Sequence, residues 1–279
     1  FIELYLNKDD GPVTEEDYAG VYVFMEKVKR GSSRVNVESL GESESTEPAI
    51  TGGYILEKGW NFSEEVGIRT ERLGDELLFT YPKADAISSA QRSYLQGYLD
   101  DFERALMGSH FDNPELGYEK YIDVDSFIDH HLLVELARNI DGYVLSTYVH
   151  KARGGKLQMG PIWDYKGALG NPDYFEGWLT EGWHYQNTEF PADNPNAYHW
   201  YERLMEDPAF RMRYSARWRE LRASHFEISS LMADIEATAQ LLNEAAGRNF
   251  QRWTILGEYV WPNAHGFEER DTYQKEIDY

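Results

Sequence analysis

Asp141 to Asp164, DGYVLSTYVHKARGGKLQMGPIWD, is the stretch from which the rest of the chain is read. Val144 to His150 and Lys156 to Ile162 each carry the short apolar alternation of a strand, and Lys151-Ala152-Arg153-Gly154-Gly155 between them has the composition of a turn. The predicted arms are of equal length, with Asp141 three residues before the first and Asp164 two residues after the second. An antiparallel pair brings its open ends to about 5 Å between facing Cα atoms. Two acids 23 positions apart in sequence are therefore predicted to converge at one mouth. Spacing alone is met equally well by two acids that cap a helix or bind turn amides.

Outward from the hairpin the periodicity changes. Ser126 to Ile140, with Phe127, His131, Leu132, Val134 and Leu136, repeats at helical spacing, as do Ile87, Tyr94, Leu95, Tyr98, Leu99, Phe102 and Leu106. Phe1 to Leu6 and Ala19 to Val28 read as a β-hairpin around the polar turn Asn7 to Asp17, Gly52 to Leu56 begins another strand, and Leu77 to Tyr81 is a later one. Gly31 to Glu47 is a Ser/Glu/Gly loop, and Trp163 to Asn196 is irregular and rich in Gly, Asn, Pro and aromatics. Tyr198 to Leu256 returns to helix, with Pro208 at a helix start and Gly247 breaking or ending one. The expected fold class is α+β: a small β-rich part over 1–85 and a larger, mainly helical part over 86–279 that carries the hairpin.

Composition narrows the function classes. The chain has 279 residues, 42% hydrophobic and 15% aromatic, enough for one large core or two unequal lobes. A formal net charge of −22 repels polyanions and favours cationic partners or metal ions, which argues against nucleic acid. The absence of cysteine removes disulfides and thiolate metal sites without fixing the compartment. No apolar run approaches the roughly 20 residues that span a bilayer. Phe1 is not an initiator Met and opens straight into strand-like sequence without a signal pattern, so a processed chain or an excised fragment is expected.

Paired acids at one mouth suit phosphoryl transfer, which needs one carboxylate within reach of the acceptor hydroxyl and another holding the metal that neutralises the phosphates. Glu135-Leu136-Ala137-Arg138-Asn139-Ile140-Asp141-Gly142-Tyr143, then Ser146-Thr147-Tyr148, Gly155-Lys156-Leu157, Met159-Gly160-Pro161-Ile162-Trp163-Asp164-Tyr165 and Gly170-Asn171, resemble in order the central signature of the CotH (spore coat protein H) kinase family. Gly20-Val21-Tyr22 with Met25-Glu26, and Gly52-Gly53-Tyr54-Ile55-Leu56, are similar to its N-terminal part. Arg203-Leu204, Asp207-Pro208-Ala209-Phe210, Arg217-Trp218, Leu221-Arg222 and Arg248-Asn249-Phe250 with Trp253 are similar to its helical C-terminal part. The resemblance implies an atypical protein-kinase-like fold with a reduced N-lobe. It implies ATP and Mg2+ or Mn2+ as cofactors, protein Ser or Thr side chains as acceptors, Asp141 as catalytic acid and Asp164 as metal ligand. It also implies a secreted, cell-surface or spore-coat location and a protein substrate such as a basic or Ser-rich coat or surface protein.

The departures from the family pattern are specific. Lys166 stands two residues after Asp164 where Asp or Asn is usual, and Ser146 stands five after Asp141 where many kinases supply Asn. No Arg-Gly-Asn-Ser-like segment or nucleotide-contacting Lys precedes Phe1, and the chain stops at Tyr279 before an expected last helix, so part of the ATP site is expected to lie upstream. Glu26 at a strand end could pair with such a Lys or simply be solvated. Lys27, Lys29, Arg30 and Arg34 form a local basic cluster that either meets phosphates or is a solvated hairpin end. His130 and His131, adjacent on a helix, face different ways, and His131 is expected in the core. Two other function classes stay open: a non-catalytic scaffold, favoured by Lys166, and a carbohydrate-binding or carbohydrate-active module, suggested by Tyr174, Phe175, Trp178, Trp183 and Tyr185 beside Asp173, Glu176 and Glu181.

Overall fold

The computed structural model describes residues 1–186, 199–263 and 266–279. Asn196 and Tyr198, the predicted end of the irregular stretch and start of the following helix, lie outside the described residues.

The chain is mixed α+β. β1 (Ile2–Tyr5) and β2 (Tyr18–Tyr22) form a separate antiparallel pair. β3 (Tyr54–Lys58), β4 (Gly67–Arg69), β5 (Glu76–Tyr81), β6 (Thr147–Lys151) and β7 (Leu157–Met159) make one antiparallel sheet in the order β4-β5-β3-β6-β7. The helices are α1 (Ser89–Leu106), α2 (Val124–Ala137), α3 (His199–Leu204), α4 (Pro208–Arg222), α5 (Ile228–Arg252) and α6 (Tyr273–Asp278). The predicted hairpin thus joins strands from the first 85 residues, and the sheet runs across that boundary, with β6 registered against β3 from Tyr54↔Lys151 to Lys58↔Thr147.

Strand period explains the two clusters on either side of β3. Tyr54 and Leu56 point into the main core with Leu95, Leu99 and Phe102 of α1 and Phe127 and Val134 of α2. Ile55 points the other way, into a small cluster with Val28, Val35, Val37 and Tyr148. Lys58 continues the inward face and is buried, where its Nζ donates to Asp75 at 2.5 Å and sits 4.9 Å from the Trp200 ring centre.

Helix starts follow capping chemistry. Ser88 and Gln91 make a reciprocal capping box on α1, and the Asp123 carboxylate accepts the Ser126 N–H at 2.9 Å on α2. Pro208 opens α4 as predicted, behind Asp207, whose Oδ1 accepts the Ala209 N–H and whose Oδ2 accepts the Tyr118 hydroxyl at 2.6 Å.

Several boundaries differ from the sequence reading. α2 stops at Ala137 instead of reaching Ile140, because Arg138 turns left-handed (φ 45°) and the Arg138 and Asn139 amides bond back to Glu135 and Val134 carbonyls. β2 ends at Tyr22 rather than Val28, since Val23, Phe24 and Met25 leave the pair and stay exposed. Gly247 neither breaks nor ends α5, which runs through it to Arg252. The end of α5 is held instead by the β1–β2 pair: the Val21 N–H donates to Asn249 Oδ1 (3.0 Å), the Trp253 indole donates to the Ala19 carbonyl (2.9 Å), and Arg248 bridges to Glu3 (2.8 Å). Gly20 is required there, because a Cβ at its φ of +121° would lie 2.7 Å from Asn249 Oδ1.

Candidate active site at the hairpin mouth

The hairpin forms, with shorter arms and a turn displaced by one residue: Lys151 pairs with Leu157, so the turn is 152–156. Lys151 belongs to the strand because its side chain is buried, donating to the Thr51 and Gly155 carbonyls at 2.6 Å over the Tyr98 ring. Burial pushes its pKa down to about 8. Val144 and Leu145 are not strand; their amides bond back to the Asp141 carbonyl in a tight turn that ends at left-handed Ser146 (φ 52°).

Beyond the strands the two chain directions stay adjacent. The Ile140 N–H donates to the Gly167 carbonyl at 3.0 Å, and a Cβ on Gly167 would stand 3.5 Å from Asp141 Oδ2 and 3.2 Å from Ile140 Cγ1. Asp164 precedes this contact in a left-handed conformation (φ 55°, ψ 68°), uncommon for a side chain other than Gly and found where surroundings hold the backbone in place. Asp141 and Asp164 are close enough that the Asp164 charge raises the Asp141 pKa.

The two acids have different environments. Asp141 is half-buried, and desolvation is the main cause that lifts its carboxyl above the usual range; the Lys166 charge opposes this and the Asp164 charge adds to it. Among the described residues, none donates a hydrogen bond to its carboxylate; its one side-chain contact is through its backbone N–H, which reaches Asn139 Oδ1 at 3.4 Å. Asp164 is paired with Lys166, Nζ to Oδ2 at 2.7 Å, so the cation at the departing position sits on the acid expected to hold metal.

The backbone around Asp141 is anchored on both sides by residues the sequence reading did not assign to the site. His184 Nε2 lies 3.1 Å from the Ile140 carbonyl, and His130 Nε2 lies 2.8 Å from the Gly142 carbonyl, which also accepts the Thr147 hydroxyl at 2.9 Å. Glu135 holds the far side: its carboxylate accepts the Tyr143 hydroxyl (2.7 Å) and the amides of His184 (2.7 Å) and Tyr185 (2.9 Å). Arg138 donates to the Glu176 and Glu181 carbonyls, fastening the loop after Gly170 under α2. A Cβ at Gly142 would lie 2.6 Å from Val134 Cγ2, so only Gly lets this turn approach α2 so closely.

The other candidate residues disperse. Glu26 pairs with Arg34, Arg30 lies over the Tyr81 ring, and Lys27 and Lys29 are exposed. His131 is buried as expected, 3.0 Å from the Tyr214 hydroxyl and surrounded by Tyr143, Tyr185 and Tyr201. The aromatic loop divides. Trp183 and Tyr185 pack toward that histidine, whereas Tyr174 stacks on Trp261 at 6.0 Å, and the Asp141 charge contributes to its raised pKa. No cluster of three or more His, Cys, Asp or Glu poised for a metal occurs among the described residues. Asp164, the residue expected to hold metal, offers a single carboxylate, and Mg2+ is commonly held by one or two carboxylates and completed by phosphates and water.

A mixed α+β chain with two unlike carboxylates at the mouth of a sheet hairpin is a candidate group-transfer protein. The family model described as CotH kinase protein matches residues 1–279, and the chain belongs to the CotH kinase family. No curated protein matches it.

Proposed function

We propose that the chain transfers the γ-phosphoryl group of ATP to Ser or Thr hydroxyls of a protein substrate, on a kinase-like fold in which 1–85 and 86–279 correspond to the two lobes and share one sheet. The observation that carries this reading is the state of Asp141: a half-buried carboxylate to which no described residue donates a hydrogen bond, raised in pKa by burial, on a backbone anchored from both sides. Asp141 is the group that draws the proton from the acceptor hydroxyl as that oxygen bonds to the γ-phosphorus and the bond to the ADP oxygen breaks. Asp164 is the ligand for Mg2+ or Mn2+, which when bound neutralises the phosphate oxygens. With a net charge of −22, the chain favours a basic or Ser-rich protein as acceptor. Among the described residues no helix is long and apolar enough to cross a membrane, and family membership favours a secreted, surface or spore-coat setting.

The test is transfer from labelled ATP to the chain itself and to a Ser- and Lys-rich peptide, with Mg2+ or Mn2+. Asp141→Asn is expected to abolish transfer with little change in melting temperature; unaltered transfer would overturn the reading. A kinase-like scaffold is the second reading, favoured by the Lys166–Asp164 ion pair. It predicts no thermal stabilisation that requires nucleotide and metal together.

A further inference from the structure

We propose that His130 and His184 act as paired positioning residues for this transfer: each donates its Nε2–H to one of the two carbonyls flanking Asp141, and together they fix where its carboxylate meets the acceptor hydroxyl. The proposal rests on the reading of Asp141 as the proton-accepting acid.

A carbonyl oxygen only accepts, so both contacts, 2.8 Å to Gly142 and 3.1 Å to Ile140, require the hydrogen on Nε2 and fix each ring in one tautomer. Burial pushes both imidazoles down to about 4, so near neutrality each is uncharged and keeps that single donor. The two rings arrive from different elements. His130 stands on α2, whereas His184 opens the turn 184–186, whose amides are held by Glu135 of the same helix. α2 therefore reaches both sides of Asp141, directly through His130 and through Glu135 and His184. Both carbonyls flanking Asp141 are held while no described residue donates to its carboxylate, the division of labour expected when backbone position matters and the carboxylate must stay available.

A role confined to stability predicts that His variants lower the melting temperature and leave the transfer rate of the folded protein alone. The positioning role predicts a different pattern, measured on the full chain with ATP, Mn2+ and a Ser- and Lys-rich peptide, well below the melting temperature. His184→Phe and His130→Phe should each lower kcat roughly 10- to 100-fold with KM for ATP changed by less than about two-fold. His184→Gln and His130→Gln, which restore a donor, should recover most of the loss. Imidazole nitrogen NMR of the wild-type chain at pH 7 should show both rings neutral and protonated on Nε2, and it reads the proposal even if a Phe variant fails to fold. An Nδ1–H tautomer at either ring, unchanged kcat in folded Phe variants, or equal losses in Phe and Gln variants would each overturn it. Asp141→Asn run alongside separates the two failures. If that variant still transfers, the reading of Asp141 falls; if it is dead while the Phe variants are unimpaired, only the histidine proposal falls.

Discussion

Raising the pH from 5 to 8 should destabilise the fold by about 3 kcal/mol through one carboxyl, Glu103. Glu103 lies fully buried on α1, accepting the Trp200 indole N–H at 3.0 Å and the Leu73 amide at 3.1 Å. Burial first, and the nearby Asp75 charge second, push it up to about 7 from an ordinary 4.5. A carboxyl raised in the fold binds more protons there than in the unfolded chain, so its stabilisation is complete below pH 4.5 and is lost as pH rises through 7. The span of about 2.5 pH units at about 1.36 kcal/mol each gives ~3.4 kcal/mol, most of it between pH 5 and 8. For a chain of this size that corresponds to roughly 6 °C in melting temperature. The assay is thermal unfolding in half-unit pH steps for the wild type and Glu103→Gln. Asp141 and Glu135 are also raised and contribute to both curves, so the difference isolates Glu103. The wild type should lose stability relative to the variant as pH rises across this window, and parallel curves would refute the argument. The consequence reaches the site, because Glu103, Trp200, Lys58 and Asp75 tie α1 and α3 to β3, the strand on which the hairpin hangs.

Gly142→Ala should cost ~1–3 kcal/mol by driving a methyl against Val134, and should reduce transfer by displacing the Asp141 turn; thermal unfolding and the transfer assay check the two arms. Lys166→Asp should tighten Mn2+ binding measured by calorimetry about ten-fold by trading the Asp164 counter-ion for a carboxylate, and Asp164→Ala should remove binding.

That Asp141 and Asp164 lie near one another was legible in the sequence because hairpin geometry is local: strand alternation and a Gly-Gly turn set the two chain directions side by side even though the turn moved by one residue. The α+β class was legible for a similar reason, since α1 and α2 carry long apolar periods and clear caps. Three-residue β4 is too short to show a period, and the left-handed stop at Arg138 depends on a turn that only Gly142 lets pack against α2. The histidine anchors were hidden for another reason. His184 is 43 positions from Asp141 in an irregular stretch, and its role is set by a carbonyl, a group that every residue carries and no sequence pattern marks. The available signal was Glu135, a carboxylate inside an otherwise apolar helix face, whose burial demanded donors from somewhere else.

Lys166 decides how charge can balance at the mouth. Two carboxylates and one ammonium leave the mouth anionic, and the chain around it carries −22, so ATP approaches against a like field. The cations on hand are the divalent ion that Asp164 would hold and Lys166 itself, exposed and free to leave Asp164 at small cost because a solvated ion pair contributes little. On the kinase reading, Asp164 would hold the divalent ion and Lys166, released from it, would turn its ammonium to the phosphates. Lys166→Met should then tighten Mn2+ binding in the absence of nucleotide while weakening binding of ATP in the presence of Mn2+, the second effect shrinking as salt is raised. On the scaffold reading only the first effect appears, because no phosphate waits for the released ammonium. Calorimetric titrations of Mn2+ alone and of ATP at saturating Mn2+, on the wild type and Lys166→Met, measure both effects. Equal ATP affinity in the two proteins would remove Lys166 from the phosphate site.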